Sequence, residues 1–505
     1  MSENGYSIIH YRYMVPRMDT SKHDIFYQSF TSKDSRFDGV FFVGVTSTGI
    51  YCRPVCTART PKQSNCRFFN NAGSAEKAGF RPCLRCRPEL APGNAPMDDA
   101  SRIAHQIIQR IEEGVIEDNA GLEGIAAQFQ LSSRQIRRIV QAELGVSPIE
   151  LIQTRRLLLA KQLLTETHLP ITEVAFASGF ASLRRFNDAF STQYGMPPTR
   201  LRREAHSHHG TIEKGTTSTL QLTYRPPYDW PGILQFLNLR ALTGAEWATA
   251  EAYTRTVQLG HHKGWFRVRH APKKHALMVE FTNTLVPVLP ALLSRIRSLF
   301  DLSARPDLIT AQLSQSPVLK AAVEANPGLR VPGAFDGFDL AVRAILGQQV
   351  TVKAATTLSC RFVEAFGETI ETPFPELTHL PPTPETIATA SVDDIAKFGI
   401  ISARAKSIIA VAQAFTSGTL QLHAGMNPEA AIRQLVALPG VGPWTAHYIA
   451  MRALRWPDAF PKEDIAILNN LGGLTPRQAE ELSQAWRPWR SYAVLHIWNL
   501  SNKTT

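Results

Sequence analysis

Four cysteines stand in two close pairs near the start of the chain, Cys52 and Cys56 in "YCRPVC" and Cys83 and Cys86 in "CLRC". A Cys-x3-Cys arm and a Cys-x2-Cys arm, joined by an irregular stretch carrying Gly73, Gly79 and Pro82, can converge on one tetrahedral Zn2+ that takes four thiolates at about 2.3 Å. Four thiolates on a dication leave about two excess negative charges, which keeps sulfur deprotonated and nucleophilic at neutral pH. Cys66, between the pairs and without a spacing partner, reads as structural, and Cys360, in "TTLSCRFVEAF", as a core residue of an apolar helix. A different chemistry is offered by "LPGVGPWTAHY", Leu438 to Tyr448. Gly440 and Gly442, one residue apart between apolar helical segments, allow a tight hairpin whose amides approach a phosphate with no Cβ in the way. A carboxylate follows at Asp464 in "RWPDAFPKEDIAIL", with Asp458 and Glu463 as close competitors.

These groups need elements to hold them, and the periodicities supply candidates. Leu122, Ile125, Ala126 and Phe129 recur at i, i+3, i+4 and i+7, the mark of an amphipathic helix. The next segment, "LSSRQIRRIV", opens with Ser132 or Ser133 as cap, turns Ile136, Ile139 and Val140 inward and leaves Arg134, Arg137 and Arg138 outside. That is a helix-turn-helix. A second copy follows in "ITEVAFASGFASLRRFNDAF": Ile171, Val174 and Ala175 precede the Gly179 turn, Ser182 caps, Phe186 and Phe190 pack at i+4, and Arg184 and Arg185 are left to face DNA. Alternation in "WFRVRH" and "HALMVEF" predicts a small sheet. The glycine hairpin, with helices on either side, is the helix-hairpin-helix pattern.

Length and charge bound the rest. At 505 residues the chain is too long for one core and divides into about three domains. Its 44% apolar content is that of globular domains, and no apolar run of about 20 residues offers a membrane span. A formal net charge of +11 and a pI near 9.4 point to a polyanionic partner, nucleic acid first. The opening residues lack the basic head and apolar stretch of a secretory signal, so a cytoplasmic location is expected. There thiols stay reduced, and six cysteines serve a metal site rather than a disulfide framework. Two seams divide the chain: "RPELAPGNAPMDDAS" from Arg87, and the polar "EAHSHHGTIEKGTTST" from Glu204, a linker carrying His206, His208 and His209.

Three resemblances sharpen this outline. "GVFFVGVTSTGIYCRPVCTART" with "AGFRPCLRCRPE" resembles the methyl-accepting N-terminal domain of the Ada proteins. The resemblance implies one Zn2+ on Cys52, Cys56, Cys83 and Cys86, and makes Cys52 the acceptor of a methyl group from a methylated DNA phosphate. Losing one thiolate charge would lower the site's repulsion of DNA, so the reaction would also act as a switch. The two helix-turn-helix units, joined by "SPIELIQTRRLLLAKQLL" and ending in "GMPPTRLRRE", resemble the AraC/XylS regulators, whose recognition helices enter successive major-groove segments. "LTYRPPYDWPGILQFL", "FDLAVRAILGQQVTV", "LPGVGPWTA", "DAFPKED" and "WRPWRSYAVLHIW" look, in this order, like the AlkA type of DNA-3-methyladenine glycosylase. That likeness places the catalytic aspartate at Asp464 and the base pocket at Phe236, Trp444, Tyr448 and Trp498, leaving Trp486 and Trp489 to the core. Gln349 takes the place of an apolar wedge, because "GQQVT" stands where the family has "GQLVS". Trp444 occupies the position of the Schiff-base lysine of strand-cleaving relatives, which implies base excision without strand cleavage.

The expected fold is multidomain α+β: a small zinc-binding α/β module, an all-α double helix-turn-helix domain, and a helix-hairpin-helix glycosylase with a small N-terminal antiparallel-sheet subdomain. The boundaries follow as 1–92, 97–204, a linker at 205–219, the sheet at 220–298 and the helical domain at 299–505. The expected activity is hydrolysis of the N-glycosidic bond of alkylated purines such as 3-methyladenine, joined to methyl acceptance that switches a transcription regulator. Damaged and promoter double-stranded DNA are the partners, with RNA polymerase as a candidate, no membrane, and a monomer as the default. The rival is a regulator whose glycosylase-like domain is only a DNA-binding platform.

Overall fold

The computed structural model describes residues 20–92, 104, 107–108, 110–111, 119–128, 131–208 and 215–501. Phe129, His209 and residues 93–101 of the first seam lie outside them, as do the side chains of Ile125, His206 and His208. Among the described residues no helix is long and apolar enough to cross a membrane.

The cysteine-bearing module is a four-stranded sheet of β1 (Phe42–Val45), β2 (Ile50–Cys52), β3 (Cys66–Phe69) and β4 (Arg81–Pro82) in the order β3-β1-β2-β4. A tight turn joins β1 to β2, and Gly49 supplies its left-handed residue at φ 65°. The Thr20–Thr31 helix lays Phe26 and Phe30 against Phe41, Val43 and Phe68, with Phe26 and Phe41 stacked at 4.2 Å. Each buried phenylalanine contributes roughly 1.5–3 kcal/mol, a small total for a module of this size, so metal and neighbouring modules must add to it.

In the next module Ser132 caps the Ser133–Leu144 helix and Ser147 caps the Pro148–Glu166 helix, each in a reciprocal capping box. Gly145 and Gly195 end the Ser133–Leu144 and Leu183–Tyr194 helices at φ 76° and 67°. Ile136, Val140, Phe186 and Phe190 are fully buried, Ile139 is half-buried, and Arg134, Arg137, Arg138, Arg184 and Arg185 are exposed. Both units thus turn their apolar stripe inward and their arginines out.

The third module opens with a five-stranded antiparallel sheet, β5 (Thr217–Thr223), β6 (Glu246–Ala248), β7 (Ala252–Leu259), β8 (His262–Ala271) and β9 (Ala276–Thr282), ordered β5-β9-β8-β7-β6. Leu220 faces Val279 and Leu222 faces Leu277 across β5 and β9. A helical domain follows, in which the Gly337–Leu346, Ser402–Thr416 and Pro443–Arg452 helices share one core with Trp486 and Trp489.

The linker expected at 205–219 is shorter than its polar composition suggests. The Pro198–His208 helix runs into it and β5 begins at Thr217, where threonines alternate with buried residues as an edge strand requires. The units it joins are not independent either, because Leu157, Leu163, Phe186 and Phe190 of the helix-turn-helix module belong to the same buried cluster as Leu220, Val279 and Phe281 of the sheet.

Buried polar contacts tie all three modules together. Lys161 and Glu89, each 1% exposed, pair at 2.6 Å, and Lys161 also donates to the Cys83 carbonyl at 3.1 Å. Removing one partner of such a pair costs roughly 3–5 kcal/mol, since the other charge is left buried and unpaired. The Glu166 carboxylate accepts from Arg87 at 2.6 Å and from the Gln221 backbone of β5 at 2.9 Å. Arg225, fully buried, donates to the Asp38 carbonyl at 3.0 Å and to Ser303 at 2.8 Å.

Candidate functional site

The parallel pairing of β2 with β4 sets Tyr51 opposite Pro82, so Cys52 and Cys83 emerge side by side, and the Cys83 N–H donates to the Tyr51 carbonyl at 3.0 Å. A turn closed by Cys56 N–H to the Arg53 carbonyl at 3.1 Å brings Cys56 back. The Sγ atoms of Cys52, Cys56, Cys83 and Cys86 all lie within 4.8 Å of one another. Zn–S bonds of 2.3 Å at tetrahedral angles require sulfurs about 3.8 Å apart, so the donor set fits the ion in number, element and spacing. Cys66, 5% exposed, stays outside the cluster and directs its thiol to the Lys62 carbonyl at 3.5 Å.

The surroundings suit an anionic cluster. Hydrogen bonding among the sulfurs holds Cys83 low and Cys56 at about 7, both through Cys52, while the Cys52 thiol is pushed up. Four thiolates this close require a cation between them. Arg53 N–H donates to Cys86 Sγ at 3.3 Å, and its guanidinium donates to the Cys86 carbonyl at 3.1 Å and forks onto the buried Asp38 carboxylate. This Arg53–Asp38 pair carries no spacing signal in the sequence.

A cleft of about 2420 Å3 opens in the third module, lined by Phe236, Gln349, Gly440, Gly442, Trp444, Tyr448, Asp464 and Trp498, eight residues brought from five separate segments. Gly440 sits at φ 73°, and a Cβ there would meet Ser407 Oγ at 2.2 Å; Gly442 begins the Pro443–Arg452 helix with open space around it. Both glycines therefore serve the hairpin, the first by backbone and packing and the second by leaving its amide approachable.

Asp464, 8% exposed, caps the Ile465–Asn470 helix by accepting the Ile467 N–H at 3.0 Å. Two indoles hold it as well, Trp444 Nε1 on Oδ2 at 2.9 Å and Trp498 Nε1 on Oδ1 at 3.2 Å. The competitors separate cleanly. Asp458 is spent on a buried ion pair with Arg490 at 2.7 Å and a second with the exposed Arg487 at 2.5 Å, and Glu463 is exposed. Trp444 and Tyr448 stack at 5.5 Å with planes 7° apart, and Trp498 leans on Tyr448 at 6.4 Å.

Beside the aromatic wall stand two arginines that sequence reasoning passed over. Arg452 donates to the Tyr448 hydroxyl at 2.8 Å and lies 4.9 Å from the Phe236 ring, while Arg240 lies over that ring at 3.8 Å. Cation–π attraction of about 0.5–2 kcal/mol per contact is thus already exercised on Phe236 from within the chain. Burial alone would raise the Tyr448 phenol, and the Arg452 and Arg240 charges outweigh it, so its pKa is lowered. The one available signal was position: each arginine stands four residues after a pocket aromatic.

Gln349 projects from the loop after the Gly337–Leu346 helix at φ 54°, exposed, next to the exposed Val350. Gln348 anchors that loop, donating to the Gly440 carbonyl at 2.9 Å and to Thr445 at 3.0 Å, and Arg404 holds the Gln348 carbonyl. Cys360 departs from expectation. It is only half-buried, at the cleft wall, where it packs against the small buried cluster of Leu242, Ala245 and Val363 and accepts the Thr243 N–H at 3.3 Å.

The chain matches four family descriptions in succession: the metal binding domain of Ada at residues 26–89, a helix-turn-helix domain at 125–204, the AlkA N-terminal domain at 219–336 and the HhH-GPD superfamily base excision DNA repair protein at 342–491. It is 39% identical over 485 residues, 94% of this chain and 96% of the other, to a protein of Mycobacterium tuberculosis described as a probable bifunctional transcriptional activator/DNA repair enzyme AlkA. It is 36% identical to DNA-3-methyladenine glycosylase 2 of Escherichia coli over 277 residues, 55% of this chain and 95% of the other. It is also 38% identical to the bifunctional transcriptional activator/DNA repair enzyme Ada of Escherichia coli over 122 residues, 24% of this chain and 33% of the other.

Proposed function

Because this chain belongs to the family of bifunctional transcriptional activator/DNA repair enzymes that join an Ada-type metal-binding domain and a helix-turn-helix domain to an AlkA-type glycosylase, we propose that its cleft excises alkylated purines with Asp464 and that Cys52 accepts methyl groups. The protein is a DNA glycosylase and a DNA-methylphosphotriester methyltransferase, a zinc protein, and a DNA-binding regulator.

In the glycosylase step the base leaves the duplex and stacks beside Trp444 and Tyr448. The C1′–N bond breaks with its electron pair on the base, positive charge develops on the sugar, and the Asp464 carboxylate stabilises it while water adds at C1′. Trp444 and Trp498 fix the carboxylate, Gln349 fills the space left in the stack, and the amides after Gly440 and Gly442 hold the backbone. The single observation that carries this assignment is the hold on Asp464: a carboxylate 8% exposed, on the cleft, accepting three N–H donors and, among the described residues, paired with no cation. Capping the Ile465–Asn470 helix needs only the Ile467 N–H; the two indoles that turn the carboxylate onto the cleft are what a DNA platform alone would not require.

Bound Zn2+ keeps the four thiols deprotonated at neutral pH. Cys52 Sγ attacks the methyl carbon of a phosphotriester, the C–O bond breaks, and a phosphodiester anion leaves. Arg134, Arg137, Arg138, Arg184 and Arg185, exposed on their helices, meet the major groove and phosphates of a promoter. We further propose the division 1–92, 97–204, 220–298 and 299–505, its linker narrowed by the Pro198–His208 helix and the start of β5 at Thr217, a cytoplasmic monomer, and RNA polymerase as the partner at promoters.

The test is release of free 3-methyladenine from methylated duplex DNA by the wild-type chain beside Asp464→Asn, with gels for strand breaks and peptide mass for Cys52. Release that the substitution abolishes, with unbroken abasic DNA and a methylated Cys52 peptide, is the expected result. No release from folded, zinc-loaded protein would leave only the regulator.

A further inference from the structure

The pocket offered to an alkylated, positively charged base contains two fixed positive charges. Arg240 and Arg452 both line the cleft, at 3.8 and 4.9 Å from the Phe236 ring, and Arg452 is bonded to the Tyr448 hydroxyl at 2.8 Å. Arg452 is 7% exposed and pinned to the carbonyls of Pro332 at 2.9 Å and Gly333 at 3.0 Å, and Arg240 donates to the Phe236 carbonyl at 3.2 Å. Among the described residues neither guanidinium is paired with a carboxylate. Asp464 lies at the other end of the same wall, beyond Trp444, whose ring stacks on Tyr448. The wall therefore runs from an anion at the sugar end to two cations at the base end.

Resting on the glycosylase assignment above, we infer that Arg240 and Arg452 are specificity-determining residues that stabilise electrostatically the charge left on the departing base by the electron pair it keeps, and so favour neutral damaged bases as substrates beside cationic ones. When the C1′–N bond breaks, the pair moves to the base and the positive charge to the sugar. A cationic alkylpurine leaves neutral, whereas a neutral base leaves with a negative charge; in both cases the base end loses one unit of positive charge. The arginines respond to that change alike, but the starting states differ. A cationic base is repelled on binding, and relief of that repulsion speeds the bond-breaking step, so weaker binding and faster chemistry offset each other. A neutral base binds without repulsion and gains the whole effect in its transition state.

The experiment is single-turnover excision of 7-methylguanine, as the cationic probe, and of hypoxanthine, as the neutral probe, each placed once in a duplex, by the full chain and by Arg240→Gln. Arg240 is the better site, because Arg452 ties down the distant Pro332 and Gly333 carbonyls, whereas Arg240 donates to the Phe236 carbonyl, only four residues before it. Arg240→Gln is expected to lower the hypoxanthine rate about tenfold with its half-saturating DNA concentration unchanged, while for 7-methylguanine rate and half-saturating concentration fall together and their ratio stays within about twofold. Arg240→Lys, which keeps the charge, is expected to excise hypoxanthine close to the wild-type rate. An equal loss of rate-to-concentration ratio on both probes, no change on either, or failure of Lys to restore hypoxanthine excision would each overturn the inference. A wild-type chain that removes 7-methylguanine but not hypoxanthine overturns it too, and one that removes neither overturns the glycosylase assignment itself.

Discussion

The indole N–H of Trp444 donates to Asp464 Oδ2 at 2.9 Å, and this one bond joins the glycine hairpin to the carboxylate. Trp444 stands in the first turn of the Pro443–Arg452 helix, two residues after Gly442, whereas Asp464 caps the Ile465–Asn470 helix. The bond fixes how far the phosphate-approaching amides stand from the group that meets the sugar. A charged acceptor makes it a strong link.

Trp444→Phe should therefore misplace the carboxylate without emptying the wall, since a phenyl ring still stacks on Tyr448. Single-turnover excision of 3-methyladenine is expected to fall about tenfold, the scale of one lost charge-assisted hydrogen bond, while affinity for abasic DNA stays near wild type. Unchanged excision would show that Trp498 and the Ile467 amide suffice to hold Asp464.

The two hairpin glycines should fail differently. Gly440→Ala puts a Cβ 2.2 Å from Ser407 Oγ on a backbone at φ 73°, so thermal stability of the helical domain should drop, by about 1–3 kcal/mol. Gly442→Ala meets nothing within 4 Å and should melt like wild type, losing only DNA affinity. Comparing melting curves with DNA-binding isotherms separates the two, and equal melting losses would refute the assignment of distinct roles.

Groups whose chemistry depends on local spacing were legible before any coordinates. The cysteine pairs, the hairpin glycines and the serine caps each lie within a few residues of what they act on, so sequence separation stands in for distance. Arg87 with Glu166, Gln221 with Glu166 and Arg225 with Asp38 bridge different modules, and nothing in the periodicity of either partner marks the other. Arg240 and Arg452 were missed for another reason. An arginine four residues past an aromatic, whether on the helix as Arg452 or in the turn after it as Arg240, looks like any solvated charge until the cleft closes around it. The linker misled through composition: threonine and serine suit loops and edge strands equally, and only the partner β9 decides.

The metal site yields a contrast between buried thiols. Cys83→Ala removes one of four sulfurs that lie within 4.8 Å, whereas Cys66→Ala removes a thiol that reaches only the Lys62 carbonyl. Purified Cys66→Ala should retain about one zinc per chain, and Cys83→Ala or treatment with a strong chelator should lose it and open residues 20–92 to protease. Zinc retained by Cys83→Ala would sink the tetrathiolate assignment. Loss from Cys66→Ala would make that residue more than packing.

Glu76 gives the pH dependence. Its side chain, half-buried between modules, accepts from the Tyr51 hydroxyl at 2.9 Å and from Thr154 of the Pro148–Glu166 helix at 2.6 Å. Burial pushes its pKa from the ordinary 4.5 up to about 7, against the lowering effect of both hydroxyls. Between those two values the folded chain keeps a proton that the unfolded chain releases, so this group's contribution is fully present below 4.5 and is lost as pH rises toward 7. The loss is of order 3 kcal/mol at most, and it falls on the contact between the zinc module and the helix-turn-helix module. Glu76→Gln mimics the protonated acid at every pH. It should flatten the decline of melting temperature between pH 5 and pH 8 and, at pH 8, leave the variant more stable than wild type. A wild-type decline that the variant reproduces would place the titrating group elsewhere.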